Sequence, residues 1–300
     1  MMVKRIDVLK TYKIFIGGKF PRTESGRYYQ ATKVDDPRVP LANVCLSSRK
    51  DFRNAVVQAR KALPQWSGKS AYNRGQILYR IAENLEARKE QFISEITLQC
   101  NETTNAKKEV ETAIDRLIYY AGWCDKVNQV FGSVNPVASS HFNFSMLEPM
   151  GVVGVIAPLQ GSLLGLISAI IPPLVGGNTV VALASQSLPL CAVTFAEVVA
   201  NSDVPDGVVN ILTGNVNELL PHFSSHMDVN AIVYCQNDSQ HIKELQVQAV
   251  DNLKRILLAS SKTNDLFSEA NESPYCITNF METKTTWHPI EKISASGSGY

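Results

Sequence analysis

Between Glu148 and Glu197 the chain contains no Asp, Glu, Lys or Arg. A run of that length without charge has to leave water, into either a bilayer or a protein interior. Val152 to Val175 is long and apolar enough to raise the first possibility. Pro158, the Gln160-Gly161 pair and Pro172-Pro173 oppose it, because they interrupt a single spanning helix. The run also divides by residue type: Val152 to Ile156 reads as a short β-branched strand, Ser162 to Ile171 as a buried helix, and Thr179 to Ala182 as another strand. Parallel strands covered on both faces, with their connecting helix, have this composition without any lipid. The expectation is a protein core and no membrane.

The rest of the composition narrows the function classes. Across 300 residues, 29 basic and 28 acidic side chains leave a net charge of +1, with both signs mixed throughout. This gives no basic footprint for nucleic acid. With 45% hydrophobic residues the chain carries enough apolar side chains for a core, and only Ser294 to Tyr300 reads as disordered. The cysteines (Cys45, Cys100, Cys124, Cys191, Cys235, Cys276) form no C-x-x-C pair and read as small hydrophobes in a reducing compartment. The start, MMVKRIDVLKTYKIF, has charges where a signal peptide needs its apolar centre, so the expected location is cytoplasmic. His222 and His226 have the i, i+4 spacing of a helical metal pair, but no glutamate stands beside them as in H-E-x-x-H and no third ligand is apparent. No metal is expected.

The N-terminal part reads as helical after an extended start in which Tyr12 to Phe20 forms a strand pair turned at Gly17-Gly18. One helix opens at Ser48 with Asp51 at capping-box spacing and carries Phe52, Ala55, Val56, Ala59, Ala62 and Leu63 ahead of Pro64. A second carries Ile77, Leu78, Ile81 and Leu85 and continues through Ile96; a third carries Val110, Ala113, Ile114, Leu117 and Ala121. Phe142, Phe144 and Met146 alternate with Asn143, Ser145 and Leu147, as in half of a protruding hairpin. From Gly151 strands alternate with helices: strands at Val152–Ile156, Thr179–Ala182, Val208–Leu212, Ala231–Cys235 and Arg255–Ala259, and helices around Ser162–Ile171, Leu188–Ala200, Val216–Ser224 and Ser239–Ala249. Such alternation predicts a five-stranded parallel sheet with helices on both faces, an α/β, Rossmann-like architecture. Trp287-His288-Pro289 is a possible anchor for the tail.

Several segments resemble the aldehyde dehydrogenase superfamily, in that family's order and over roughly residues 12–265. They are AVVQARKALPQWSGKSAYNRGQILYRIAENLEARKE (55–90), IDRLIYYAGWCDK (114–126), LEPMGVVGVIAPL (147–159), GGNTVV (176–181) and VPDGVVNILTG (204–214). The resemblance implies a cofactor-type domain over 1–265, with an N-terminal helical layer, an oligomerisation hairpin at about 134–150 and the parallel sheet at 151–260. Residues 266–300 then remain as a short irregular tail, and the family's catalytic domain is absent. It also implies a reaction: NAD(P)-dependent oxidation of aldehydes to acids through a cysteine thioester.

At the positions that carry this chemistry the chain departs from the family. Gln160 stands where an asparagine donates to the oxyanion, so its amide sits one methylene further out, a displacement that favours a role confined to its own loop. Leu183-Ala184-Ser185-Gln186 replaces the lysine and glutamate that hold the adenosine ribose. Tyr234-Cys235-Gln236-Asn237-Asp238-Ser239-Gln240-His241 replaces a turn whose glycines approach the pyrophosphate, and Asp238 or Asn237 is suited to cap the following helix. In Leu258-Ala259-Ser260-Ser261-Lys262, Leu258 takes the place of the general-base glutamate. Cys276 lacks the nucleophile's surroundings and has no Lys, Arg or His within three residues.

The resemblance is nearest to the second, non-catalytic repeat of the double-length family-16 aldehyde dehydrogenases. It implies a pseudoenzyme that binds no cofactor and serves as partner or stabilising subunit of an active homologue, or as a homo-oligomer, through the hairpin. Two alternatives stand beside it. One is an active oxidoreductase using Gln160 and Cys276 with NAD or NADP, for which Ile156, Ala157, Pro158 and Ser185 would line the dinucleotide. The other is a small-molecule binding module.

Overall fold

The computed structural model describes residues 8–100, 103–259 and 266–290, with only the backbone of residues 103, 104 and 270. The strands are β1 (Thr11–Tyr12), β2 (Tyr28–Thr32), β3 (Pro40–Cys45), β4 (Ser133–Asn135), β5 (His141–Pro149), β6 (Val152–Ile156), β7 (Thr179–Leu183), β8 (Val209–Leu212), β9 (Ala231–Tyr234), β10 (Arg255–Leu258) and β11 (Met281–Pro289). The helices are α1 (Arg49–Ser67), α2 (Ala71–Ala87), α3 (Lys89–Cys100), α4 (Thr103–Ala121), α5 (Val127–Phe131), α6 (Leu164–Val175), α7 (Leu190–Ala200), α8 (Val216–Ser225), α9 (Ser239–Gln248) and α10 (Tyr275–Thr278).

The central sheet is parallel, with order β10-β9-β6-β7-β8, as the alternation predicts. The charge-free run supplies its middle: β6 and β7 are buried at every residue. Side chains of a strand alternate between faces, and here each face meets its own helices. Val153, Val155, Val180, Ala182, Ile211 and Val233 pack with α2, α3, α4, α6 and α7. Val152, Ile156, Val181, Leu183, Ile232 and Tyr234 pack with α1, α8 and α9. Gly154 has no side chain because a Cβ there would lie 2.8 Å from the Phe223 ring. Among the described residues no helix is long and apolar enough to cross a membrane.

Several local expectations need correction. Tyr12 to Phe20 does not form a strand pair with itself: Thr11 and Tyr12 pair in parallel with Asn43 and Val44, Phe15 bridges to Ile211, and only Ile16 and Lys19 meet across the Gly17-Gly18 turn. Strands β2 and β3, which carry no clear periodicity, complete that small sheet. Helix α1 does open with the Ser48–Asp51 capping box but runs past Pro64 to Ser67, where buried Trp66 donates its indole N–H to Leu174 O at 3.0 Å. The second helical stripe divides at Arg88 into α2 and α3. Pro172 and Pro173 lie within α6, which ends at Val175.

The largest correction concerns the tail, which is not irregular where it is described. β11 pairs antiparallel with β5 along its whole length, from Met281 opposite Pro149 to Pro289 opposite His141, and with β4 makes a three-stranded sheet. Trp287 is part of this strand, its ring 5.9 Å from that of His141. Strand β11 is polar and Thr-rich, so no apolar alternation marks it; pairing with β5 decides its conformation. Before it, residues 266–280 cross the helical layer as a strap. Ile277, Phe280 and Met281 bury apolar side chains, and polar side chains of the body hold the strap's carbonyls. Arg116 donates to Leu266 O (3.0 Å) and Ser268 O (3.4 Å), Asn178 to Phe280 O (2.9 Å), and Arg255 to Asn279 O (2.9 Å). The expected disorder of Ser294 to Tyr300 lies outside the described residues.

Arg116 is fully buried and also donates to Ser168 Oγ at 2.5 Å, with Glu272 Oε1 at 3.6 Å. Removing one member of such a cluster strands the others away from water. Arg116→Ala is expected to lower unfolding free energy by about 3 kcal/mol in urea titrations, and the partly exposed Glu272→Gln by about 1 kcal/mol or less.

Candidate functional site

In an open parallel sheet a ligand crevice forms beyond the carboxyl ends of the strands, where the winding reverses. Here β6 leads outward to β7 and β8, and the chain then returns to β9 on the other side of β6. The reversal therefore lies between β6 and β9, and the loops after Ile156 and Tyr234 form its lips. A side chain spans them: Gln236 donates from Nε2 to Ala157 O at 2.9 Å.

The loop after β6 is held from several directions. Ile156 is fully buried and its carbonyl accepts from Cys235 N at 3.0 Å, while Ala157 N donates to Leu183 O at 3.0 Å. Ser185, also buried, donates from its hydroxyl to Leu159 O at 3.0 Å, and Ser187 does the same at 3.1 Å. Pro158 presses on the start of α6, where a Cβ on Gly165 would come within 2.4 Å of its Cγ. Gly161 has φ +66 and Leu266 of the strap against it, at a spacing that excludes a side chain. Gln160 itself is exposed, and among the described residues its side chain makes no hydrogen bond.

The amino end of α6 has no capping side chain of its own. Glu109 of α4 supplies one, its Oε1 accepting from Leu163 N (2.8 Å), Leu164 N (3.2 Å) and Ser162 Oγ (3.4 Å). A carboxylate at this end of a helix meets unpaired N–H groups and the positive end of the dipole. Burial nevertheless raises the Glu109 pKa, against those hydrogen bonds.

At the start of α9, Asp238 caps the helix, its Oδ1 accepting from Gln240 N (2.8 Å) and His241 N (3.0 Å). The hydrogen bond from His241, foremost, holds this carboxyl below the usual carboxylate range. Next to it Tyr234 Oη lies 2.8 Å from His241 Nδ1, and His241 Nε2 lies 2.7 Å from Asn217 Oδ1, which ties the starts of α8 and α9 together.

Leu258 ends β10 opposite Tyr234 and is 41% exposed. Cys235 is buried, and burial pushes its thiol pKa up to about 12, so the thiolate is scarce at neutral pH. Cys276 lies in α10 close to Tyr120, whose hydroxyl donates to Ser273 O at 3.4 Å. No hydrogen bond or ion pair joins Cys276 to Gln160, Ser185 or Leu258 among the described residues. Ser260 to Lys262 lie outside them. Ile156, Ala157, Pro158 and Ser185 are thus gathered at one lip, with Gln160 beside them, while Cys276 belongs to the strap.

Among the described residues no group of His, Cys, Asp and Glu could hold a metal. His226 Nδ1 accepts from Asp228 N at 3.2 Å, and burial lowers the pKa of both His222 and His226. Sequence reasoning missed Gln236, Glu109 and the Tyr234–His241–Asn217 chain as parts of this region. Each acts on a group far away in the chain or on a neighbouring element, and no local spacing marks such a contact.

Glu109 generates a pH prediction. Its folded pKa is raised above the ordinary 4.5, so the folded state holds the proton more tightly than the unfolded one. The resulting stabilisation is fully present below the unfolded value and is lost as pH rises through the folded one. Urea midpoints of the native chain should therefore fall across that window, and those of Glu109→Gln should fall less, because glutamine still accepts from Leu163 and Leu164 without ionising.

With this geometry in place, likeness to known proteins can be weighed. The family model described as the aldehyde dehydrogenase family matches residues 21–271. The cytosolic 10-formyltetrahydrofolate dehydrogenase of Xenopus tropicalis is 32% identical over 266 residues, which are 85% of this chain and 29% of that protein. The mitochondrial 10-formyltetrahydrofolate dehydrogenase of Homo sapiens is 30% identical over 264 residues, 85% of this chain and 28% of that one. Among solved structures, PnpE in complex with nicotinamide adenine dinucleotide superposes with a TM-score of 0.77 at 26% identity, over 81% of this chain and 50% of that chain. The NAD-dependent aldehyde dehydrogenase of Sinorhizobium meliloti shares the fold, with a TM-score of 0.78 at 22% identity over 83% of this chain and 51% of that one. The chain spans under a third of these curated relatives and about half of these solved chains. From the match over residues 21–271 and these identities, the chain belongs to the aldehyde dehydrogenase family.

Proposed function

We propose that this chain is a non-catalytic member of the family, a partner or stabilising subunit of an active aldehyde dehydrogenase, nearest in kind to the second repeat of the double-length family-16 proteins. The observation that carries the reading is Asp238. A dinucleotide pyrophosphate placed at the start of α9 would need the N–H groups of Gln240 and His241, which the Asp238 carboxylate already engages. Its negative charge opposes a second anion there, and Gln236 bridges the lips of the crevice. The residues present do not fit NAD or NADP.

The remaining positions support the same reading. Leu258 has no atom able to take a proton from water. Cys235 is held as a thiol by burial, and Cys276 lies in the short α10 of the strap. The parallel sheet and its covering helices, by contrast, are present, as is the hairpin of β4 and β5. Scaffold without chemistry is what a binding or stabilising subunit requires, and a cytoplasmic setting suits six cysteines none of which forms a disulfide.

Calorimetric titration of the chain with NAD and with NADP, at up to millimolar concentration, should give no saturable heat. Asp238→Ser keeps an N-cap and removes the charge, and is expected to bind NAD no worse than the native chain. A pull-down with an active aldehyde dehydrogenase should retain the chain. Saturable dinucleotide binding by the native chain, or NADH production from an aldehyde that Cys276→Ser abolishes, would overturn the proposal.

A further inference from the structure

Helix α1 carries five basic residues, Arg49, Lys50, Arg53, Arg60 and Lys61, against one acidic residue, Asp51. The chain's net charge of +1 conceals this local excess. Arg49 and Lys50 open the helix, where the macrodipole disfavours cations. Residue choices that work against local stability mark functional positions.

At about 100° per residue, Arg49, Arg53 and Arg60 fall within about 40° of one another around the axis, all to one side of buried Phe52. Their stripe is about 16 Å long. On α8, His222 and His226 fall in the same way to one side of buried Phe223. The Phe52 ring packs on that of Phe223 at 4.3 Å between centroids and on that of His226 at 5.8 Å, which brings the two stripes together along one seam. The histidines register the neighbouring cations. Burial and then Arg49 lower the pKa of His222; burial lowers that of His226, with Asp228 opposing and Lys254, Arg53 and Arg60 reinforcing.

The acids of α1, α8 and the turn after α8 are engaged elsewhere. Asp51 closes the capping box, Glu218 pairs with Arg27 at 2.6 Å, and Asp228 lies 3.6 Å from Arg60. Arg49 and Arg53 are exposed, and among the described residues their guanidinium groups make no hydrogen bond or ion pair.

We propose that this seam docks an acidic segment of a partner protein, a short run of Asp or Glu laid along Arg49, Arg53 and Arg60 beside His222 and His226. Guanidinium groups match carboxylates in forked pairs, and about five extended residues span the stripe. A single small anion would engage only one end of it. Nucleic acid would need exposed rings on which to stack bases, and Phe52 and Phe223 are buried. The inference rests on the subunit reading only in that a partner exists. Saturable NAD binding would overturn that reading and leave this one standing.

The test uses the full chain at about 0.15 M salt, with fluorescein-labelled hexaglutamate as probe and fluorescence anisotropy as readout. The native chain should bind it saturably, and more weakly as salt is raised. Arg49→Gln combined with Arg53→Gln should weaken binding about ten-fold or more. The same double variant should keep or raise the melting temperature, because Arg49 opposes the α1 dipole and neither side chain is paired; a structural role would lower it. Lys61→Gln combined with Lys107→Gln removes as much charge away from the seam and should change binding by less than about two-fold. No saturable binding by the native chain, equal losses in the two double variants, a lowered melting temperature in the arginine variant, or tighter binding of labelled hexathymidylate would each overturn the proposal.

Discussion

The structure depends on the burial of β6 and β7 from both sides. Neither strand carries a polar face, so neither can sit at a surface, and the helices that follow them, α6 and α7, are nearly as apolar. Removing that much apolar surface from water is the main favourable term available to the fold. It obliges the chain to provide two covering layers. Helices α2, α3 and α4 with α6 and α7 provide one, and α1, α8 and α9 the other. The small sheets lie outside this sandwich, where pairing rather than burial decides their register.

Polar groups inside such a core are costly unless satisfied, and the chain satisfies them from a distance. Glu109 completes a helix end on another element, Asn178 serves Gly151 N and two carbonyls, and Arg116 holds the strap to α6. The strap shows how a short polar segment can be ordered without long apolar stretches of its own. Its main-chain carbonyls, more than its side chains, are what the body grips, and a few buried residues such as Ile277 and Phe280 supply the rest.

The same device closes the sheet's carboxyl ends. Loops that in an open crevice would present N–H groups and hydroxyls to a ligand here spend them on one another: Ser185 and Ser187 on Leu159 O, Gln236 on Ala157 O, and the first amides of α9 on Asp238. A group already engaged must lose that bond before it can bind anything else, which sets an energetic threshold for any ligand. The family's architecture and its ligand-facing loops are therefore separable. One is held by apolar burial, the other by a handful of polar atoms.

The amino-acid sequence by itself determined the sheet, its parallel sense and its covering helices, because periodic burial writes apolar residues into the chain at fixed spacing. It also marked Gln160, Ser185 and Asp238, and narrowed the cap of α9 to Asn237 or Asp238, because capping is a contact between residues two or three apart. Tertiary structure alone decided that polar β11 is a strand, that β2 and β3 pair, that α1 passes Pro64, and that Gln236, Glu109 and Arg116 reach across the molecule. Those outcomes depend on atoms brought together from remote parts of the chain, where hydrogen bonding follows spatial position and leaves no period in the sequence.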